Sequence, residues 1–189
     1  LDAGAEVHVC DVDERACEAA LAAHPRLSAS VTDVSSESQV LAMFGELAGR
    51  WGKLDALINN AGVSGPTNRL EDTELGAWQR TLDVNLTGTF LCARSAVPLL
   101  RAAGGGSIVN ISSVAGRLGF SLRTPYSASK FGLAGLTQTW AMELGPSNIR
   151  VNSVLPGVVA GDRVERIIAA RAAAGGVSND AMREQLLEK

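Results

Sequence analysis

The chain has 189 residues, of which 46% are hydrophobic, and its formal net charge is -3 at pH 7. This length allows one sizeable hydrophobic core, so we expect a single domain over residues 1–189. Because Lys and Arg form no run and no apolar stretch approaches the length of a bilayer span, the sequence argues against a nucleic-acid or membrane partner and favours a small molecule.

Short runs rich in Val and Ile alternate with longer stretches that have the helical period. The expected strands are Val7–Val12, Leu27–Val31, Leu54–Ile58, Ser107–Ile111 and Ile149–Leu155, and the second is placed mainly by its position between two helices. The expected helices cover residues 13–23, 36–50, 74–102 and 125–144. Since the strands are too apolar for a half-exposed sheet, the alternation predicts parallel βαβ units covered on both faces, which is a doubly wound α/β fold.

Apolar positions at helical spacing continue after the last expected strand. They are Val164, Ile167, Ile168, Met182, Leu186 and Leu187. The pattern predicts two helices within residues 158–189.

Tyr126 and Lys130 lie four residues apart at the start of a predicted helix, so both side chains are on one face. An ammonium close to a phenol favours the phenolate form, which suits the pair to general acid–base chemistry. The pattern alone is common on exposed helix faces. Here, however, Ser113 stands thirteen residues upstream of Tyr126, at the carboxyl end of a predicted strand, where open α/β sheets bind their ligands.

Five motifs together resemble the short-chain dehydrogenase/reductase family. In the order and spacing of that family they are Asn59-Asn60-Ala61-Gly62, Asp83-Val84-Asn85, Ile111-Ser112-Ser113, Tyr126-Ser127-Ala128-Ser129-Lys130 and Pro156-Gly157. The resemblance covers nearly the whole chain, and it implies that residues 158–189 form a helical segment that covers the substrate. It implies a Rossmann-like fold and an oxidoreductase that transfers a hydride between a nicotinamide cofactor and a secondary alcohol or ketone.

By this resemblance, Asn85, Ser113, Tyr126 and Lys130 form a catalytic tetrad. Tyr126 is expected to pass a proton to or from the substrate oxygen, and Ser113 to hydrogen-bond that oxygen. Lys130 is expected to support the phenolate and hold the ribose hydroxyls, while Asn85 keeps a water next to Lys130; otherwise Asn85 is an ordinary polar helix residue. Ser112 is the rival for the serine role, because neighbouring side chains on a strand point in opposite directions.

The residues that the resemblance assigns to the cofactor are Asp11, Asp33, Val34, Asn60, Ala61, Gly62, Tyr126, Lys130, Pro156 and Gly157. Asp33-Val34 matches the pair that contacts adenine, and Pro156-Gly157 starts the loop on the nicotinamide side. The segment around Ala61 and Gly62 is expected to contact the cofactor through its backbone, although it also has the composition of a simple turn.

Asp11 ends the first predicted strand. A carboxylate at this position can accept hydrogen bonds from the adenosine ribose hydroxyls and repel a 2′-phosphate, which predicts NAD in preference to NADP. Alternatively Asp11 caps the following helix, a task that Asp13 could also perform.

The sequence departs from the family pattern in two places. The first strand and the glycine-rich pyrophosphate loop are missing, and we expect this to leave two inner strands with unpaired edges. Gly161 stands where the family commonly has a threonine. Because the chain begins with Leu1 and not Met, and stops where another strand is expected, we interpret it as part of a longer protein.

Other features bear on location and ligands. Three cysteines have spacings that match neither a zinc site nor a disulfide framework, and His8 and His24 lack partners at ligand spacing, so we predict reduced thiols and no metal. The first residues given do not have the basic region followed by an apolar region that is typical of a secretory signal, and the cytoplasm is the default expectation, with a leader removed from a longer chain left open. Arg117 and Arg123 flank the site and could favour an anionic substrate.

Two further expectations concern assembly and alternative functions. The resemblance implies a homo-oligomer, a dimer or a tetramer, that forms through helices near residues 87–102 and 126–144. Small residues at Gly132, Ala134 and Gly135 would permit close helix approach. The alternatives to a dehydrogenase are a catalytically silent binding protein on the same fold and a sugar-nucleotide epimerase or dehydratase.

Overall fold

Strands and helices alternate along the chain in the computed structural model, which describes residues 3–187. The strands are β1 (Val7–Asp11), β2 (Leu27–Val31), β3 (Ala56–Asn59), β4 (Gly106–Ile111) and β5 (Ile149–Val154). The helices are α1 (Glu14–Ala23), α2 (Glu37–Trp51), α3 (Leu75–Leu82), α4 (Gly88–Ala102), α5 (Thr124–Leu144), α6 (Asp162–Gly175) and α7 (Asn179–Leu187). The predicted α/β fold is therefore confirmed.

The strands form two separate parallel sheets within the described residues. β1 pairs with β2, and β4 lies between β3 and β5. Ile108 of β4 is in register with Leu57 on one side and Val151 on the other. β1 and β3 do not pair with each other, so the expectation of two strands with unpaired edges is confirmed. The strands are not covered on both faces throughout, because Ile58 of β3 is 64% exposed.

Most element boundaries lie close to their predicted positions, with two exceptions. β3 begins later than predicted because the N–H of Leu54 donates to the carbonyl oxygen of Leu99 in α4 and not to a strand. The predicted helix at 74–102 is helical throughout, but Asp83–Thr87 forms a wider π-helical turn between α3 and α4. Such turns often occur at functional sites.

The main core lies between the helices and both sheets. Its most buried members include Val40 of α2, Ala96 and Leu100 of α4, Ile108 of β4 and Ile149 of β5. Because α2 follows β2 and α4 precedes β4, this single cluster joins the two sheets.

α6 and α7 pack against each other through a smaller core. Ile168 and Ala172 of α6 and Met182 of α7 are buried together, with Val164 packed against them. The two helices predicted after the last strand are thus confirmed. The side chains of Leu186 and Leu187 lie outside the described part of the chain.

The cysteines are free thiols, two of them buried. Burial raises the pKa of Cys92 to about 12 and also raises the pKa of Cys10, which makes both poor nucleophiles. Within residues 3–187, no group of three metal-ligating side chains comes together. None of the helices in the same range combines the length and the apolar character needed to cross a bilayer.

Candidate active site

A cavity of about 390 Å³ opens where β3, β4 and β5 end, a size typical of small-molecule sites. Its wall contains seven of the residues that the sequence predicts for the site: Asn60, Gly62, Ser113, Tyr126, Lys130, Pro156 and Gly157. These residues follow three neighbouring strands or lie on α5. Parallel pairing brings the strand ends to one edge, which is where this class of sheet binds ligands.

The loops that follow β4 and β5 are held together by their backbones. The N–H of Ser112 donates to the Val154 carbonyl oxygen at 2.8 Å, and the N–H of Val114 donates to the Pro156 carbonyl oxygen at 3.1 Å. The parallel register of β4 and β5 therefore continues past the strands, and it sets Ser113 beside the Pro156-Gly157 loop.

Ser112 and Ser113 have different surroundings. Ser112 is buried, and its Oγ donates to the Lys130 carbonyl oxygen at 3.0 Å. Ser113 is half-buried, and its Oγ accepts a hydrogen bond from the Ala115 N–H at 3.1 Å at the start of a short 3-10 turn. The hydroxyl hydrogen of Ser113 remains available to a ligand in the cavity, which favours Ser113 over Ser112.

Tyr126 and Lys130 lie on successive turns of α5, which begins just before Tyr126 with Pro125 in its first turn. Lys130 is buried, its Nζ donates to the Ile111 carbonyl oxygen at 2.8 Å, and it lies 5.7 Å from the centre of the Tyr126 ring. The guanidinium of Arg123 lies 4.8 Å from the same ring centre. The Tyr126 ring therefore lies near two cationic groups, Arg123 just before α5 and Lys130 within it.

Arg123 is also buried, and its Nη2 donates to the Ser64 carbonyl oxygen at 2.7 Å. Its guanidinium thus joins the loop after β3 to the start of α5. Arg117, in contrast, is exposed and does not line the cavity. Of the two arginines predicted to flank the site, the structure brings only Arg123 to it.

Asn85 is fully buried in the π-helical turn and does not line the cavity. Its Oδ1 accepts from the Val63 N–H at 2.8 Å, while its Nδ2 donates to the Val63 carbonyl oxygen at 3.0 Å and to Ser129 Oγ at 3.1 Å. Asn85 therefore holds the loop after β3 against α5 and is not an ordinary helix residue. A side chain on Gly62 would come within 3.2 Å of Asn85 Oδ1 and 3.8 Å of Lys130 Nζ, so glycine keeps this junction open.

A second buried polar connection crosses the sheet. Asn59 and Asn110 are opposite each other on β3 and β4, and Asn59 Nδ2 donates to Asn110 Oδ1 at 2.9 Å. Asn110 Nδ2 in turn donates to Thr137 Oγ1 of α5 at 2.9 Å. Sequence reasoning missed Asn110 and Thr137, although an asparagine inside the apolar run Ser107–Ile111 was a usable signal.

The residues predicted for the adenosine half of a cofactor lie outside the cavity. Asp11 is exposed at the end of β1, and its Oδ1 accepts from the Asp13 N–H at 3.0 Å. Asp13 Oδ1 accepts from the Arg15 N–H at 2.9 Å and so caps α1. The alternative role of Asp11 as the cap of this helix is therefore taken by Asp13.

Asp33 and Val34 follow β2 and are firmly anchored. The Oδ1 of Asp33 accepts from the Ser35 hydroxyl at 2.6 Å, and Arg80 Nη1 donates to its Oδ2 at 3.2 Å. The hydrogen bond from Ser35, together with Arg80, holds the pKa of Asp33 below its ordinary value. Val34 is buried, and it packs so closely on α4 that a side chain at Gly88 would lie 2.8 Å from Val34 Cγ2.

Comparison with known proteins identifies relatives across most of the chain. A family model described as short chain dehydrogenase matches residues 1–172. Trans-4-hydroxycyclohexanecarboxylate dehydrogenase of Sinomonas cyclohexanicum is 50% identical over 127 residues, which are 67% of this chain and 48% of that relative. The chain thus spans about half the length of this curated relative.

Solved structures agree in fold. NAD⁺-bound xylitol dehydrogenase superimposes with a TM-score of 0.90 at 27% identity, over 97% of this chain and 84% of the other. The actinorhodin polyketide ketoreductase with NADPH gives a TM-score of 0.90 at 29% identity, over 95% of this chain and 71% of the other. Both nicotinamide dinucleotides thus occur in structures similar to this chain.

Proposed function

We propose, because this chain belongs to the short-chain dehydrogenase family, that the protein is a nicotinamide-dependent oxidoreductase that interconverts a secondary alcohol and a ketone. One observation carries the proposal. Ser113, Tyr126 and Lys130 converge on a single cavity at the carboxyl edge of the sheet. A hydroxyl donor, a phenol and a buried ammonium around one cavity suit proton transfer to and from a substrate oxygen.

Each side chain has a separate task in this proposal. Tyr126 takes the hydroxyl proton when the alcohol is oxidised and returns it when the ketone is reduced. Ser113 donates a hydrogen bond to the same oxygen and stabilises its partial negative charge. The Lys130 ammonium stabilises the phenolate, and Asn85 positions the loop after β3 and keeps a water near Lys130.

The cavity fits the nicotinamide end of the cofactor. Gly62 leaves space beside Lys130, and Asn60, Pro156 and Gly157 also line the cavity. These residues would hold the nicotinamide and its ribose. When bound, the nicotinamide supplies or accepts the hydride.

We propose NAD as the preferred cofactor. The supporting observation is the Asp11 carboxylate, which is exposed at the end of β1 and is not needed as the cap of α1. It would accept from the adenosine ribose hydroxyls and repel a 2′-phosphate. Asp33 and Val34 would contact the adenine, and Ala61, exposed beside Gly62, would line the path between the two halves.

The substrate is proposed to be a compact secondary alcohol, with an alicyclic ring as the first choice. Phe120, Val159, Val164 and Ile167 give the cavity apolar walls, and the last two, on α6, support the proposal that residues 158–189 cover the substrate. The relative from Sinomonas cyclohexanicum is named for a hydroxycyclohexanecarboxylate, which supports the same choice.

Assembly and location complete the proposal. We propose a homo-oligomer, dimer or tetramer, that forms through the exposed faces of α4 and α5. Gly135 is exposed on α5, but Gly132 packs inside the subunit, where a side chain would lie 2.9 Å from Leu86 Cδ1, so Gly132 is not part of that face. The three free thiols support a cytoplasmic location.

The test is oxidation of a panel of secondary alcohols by the full-length protein, followed through nicotinamide absorbance. Tyr126→Phe removes only the hydroxyl and is expected to lower kcat by about 100-fold or more. The variant should keep the thermal unfolding midpoint of the wild type, which serves as the control for folding. Unchanged turnover in Tyr126→Phe would refute the assignment of the acid–base residue.

A further inference from the structure

The part of the cavity wall that α6 forms contains a cation, Arg171, that the proposed chemistry does not use. Arg171 lies on α6, one turn after Ile167 and two turns after Val164, and all three side chains line the cavity. At the helical rise of 1.5 Å per residue, the seven positions from Val164 to Arg171 span roughly 10 Å. Arg171 therefore lies about two turns further along α6 than Val164, at the other end of the part of the helix that lines the cavity.

Packing on the adjacent side of α6 fixes the direction of this face. Ile168 and Ala172 are buried against Met182 of α7. Glu165, on the outer surface, pairs with Arg183 at 2.6 Å. With these positions engaged elsewhere, the face of α6 that carries Val164, Ile167 and Arg171 is the one that meets the cavity.

Arg171 is only partly satisfied within the described residues. Its Nε is buried and has no hydrogen-bond partner there, and none of the ion pairs among those residues includes it. Its neighbours in the cavity wall include the apolar side chains of Val159, Val164 and Ile167. A guanidinium in such surroundings is stabilised by an anionic partner.

The other cations of the wall already have partners in the protein. Arg123 Nη2 donates to the Ser64 carbonyl oxygen, and Lys130 Nζ donates to the Ile111 carbonyl oxygen. Both lie beside the Tyr126 ring. Arg171 lies on a different element of the wall, α6, where a substrate group other than the reacting oxygen would be bound.

We propose that Arg171 binds a carboxylate of the substrate, so that the substrate class is hydroxy and oxo carboxylic acids whose acid group is separated from the reacting carbon by a ring or chain. The inference rests on the proposed function, because Tyr126 defines the alcohol end of the cavity and Arg171 the acid end. The planar guanidinium can donate two parallel hydrogen bonds to a carboxylate, a geometry that lysine does not reproduce.

The experiment compares an acid with its neutral analogue in the full-length protein. The probes are 4-hydroxycyclohexanecarboxylate and 4-hydroxycyclohexanecarboxamide, and the measured quantity is the ratio of their kcat/KM values. Arg171→Met is expected to lower this ratio by about 10- to 100-fold, and Arg171→Lys to lower it less. Arg166→Met is the matched control, since Arg166 is exposed on the same helix and does not line the cavity.

Calorimetric titration with cyclohexanecarboxylate, which has no hydroxyl to react, measures the anion site without turnover. We expect binding to the wild type and its loss in Arg171→Met. An unchanged kcat/KM ratio in Arg171→Met, or an equal change in Arg166→Met, would overturn the carboxylate site and leave the oxidoreductase proposal intact. If the wild type oxidises neither probe nor any other alcohol while still binding cyclohexanecarboxylate, the proposed function fails and the anion site stands.

Discussion

Asn85 supports the site through its neighbours, since its side chain meets the backbone of Val63 and the hydroxyl of Ser129 and does not face the cavity. Loss of the amide would remove the partners of the Val63 N–H and carbonyl oxygen, whose hydrogen bonds to Asn85 are part-buried, at a cost of up to about 1–3 kcal/mol for each group that is left unsatisfied. A fully bonded buried amide also has one favoured orientation. Asn85 therefore fixes the distance between the loop after β3 and the helix that carries Tyr126 and Lys130.

Asp11 gives the sharpest residue-scale test of cofactor choice. Asp11→Asn removes the charge but retains an oxygen for the Asp13 N–H, so the local turn should persist. Because a carboxylate repels a 2′-phosphate, we expect the substitution to lower the kcat/KM ratio of NAD to NADP by about tenfold or more. Steady-state kinetics with both cofactors measures this ratio.

Asp13→Asn is the matched control, as it removes a neighbouring charge while an asparagine can still cap α1. An equal change of the ratio in Asp13→Asn would show that only the general charge of this edge matters. No change in Asp11→Asn would contradict the proposed contact with the adenosine ribose.

Sequence alone was sufficient to bring together the residues whose position follows from local patterns. Ser113 was placed by the end of an apolar strand, and Tyr126 and Lys130 by helical spacing. Arg171 could not be assigned in this way, and for Arg123 the sequence indicated a place beside the site but not its partner. The partner of Arg123 is Ser64, 59 positions away, and the inward face of α6 depends on its packing against α7, which no periodicity of α6 alone determines.

At the scale of elements, the sequence predicted the ends of the helical stretch at residues 74–102 but not the change from α-helical to π-helical hydrogen bonding within it. Residues 74–102 contain a nearly continuous helical pattern, and the hydrophobic period gives no sign of a wider turn at Asp83–Thr87. The turn places Asn85 so that its side chain reaches Val63, 22 positions earlier. Such a contact between distant segments can offset the weaker hydrogen bonding of a π turn. The pattern of neighbouring residues does not predict this contact.

The pairing of β1 with β2 includes a titratable side chain, His8, so the stability of the protein is expected to depend on pH through this residue. His8 lies opposite Ser28 and its ring nitrogens contact Ser28 Oγ at 2.9 Å and Ser30 Oγ at 3.1 Å. Burial lowers the pKa of His8 below its ordinary value of 6.5, with Arg50 acting in the same direction and Glu46 opposing it. The folded protein thus favours the neutral ring.

A lowered histidine pKa means that the unfolded chain binds the proton more readily than the folded one. The stability that neutral His8 contributes is present above about pH 6.5 and is lost as the pH falls toward the lower pKa of the folded state. We expect the free energy of unfolding to fall less steeply between about pH 7 and about pH 5 in His8→Asn than in the wild type. Urea denaturation across this range measures it, with His24→Asn, at an exposed histidine, as the control. The same slope in the wild type and His8→Asn would contradict the prediction.

At the scale of the molecule, the two sheets divide the proposed tasks. Asp11 at the end of β1 and Asp33 just after β2 are proposed to contact the adenosine half of the cofactor, whereas the proposed reacting groups lie after β4 and on α5, beside the sheet of β3, β4 and β5. The shared core between α2 and α4 keeps them in one domain. The α6–α7 pair has its own small core. Substitutions on the cavity face of α6 can therefore change which substrate is preferred without displacing the reacting groups.

The last prediction concerns assembly, which depends on apolar side chains that a single subunit leaves exposed. On α5, Phe131 is 46% exposed and Met142 is 74% exposed, and on α4 Phe90 is 40% exposed. Phe131, Gly135 and Met142 are spaced so that they share one face of α5. Burial of this face against a second copy would remove apolar surface from water.

We therefore expect Phe131→Asp to dissociate the full-length oligomer in sedimentation velocity experiments. Leu75→Asp is the control, because Leu75 is 77% exposed but lies on α3. A monomeric wild type, or equal dissociation by Leu75→Asp, would contradict the proposal that α4 and α5 form the interface.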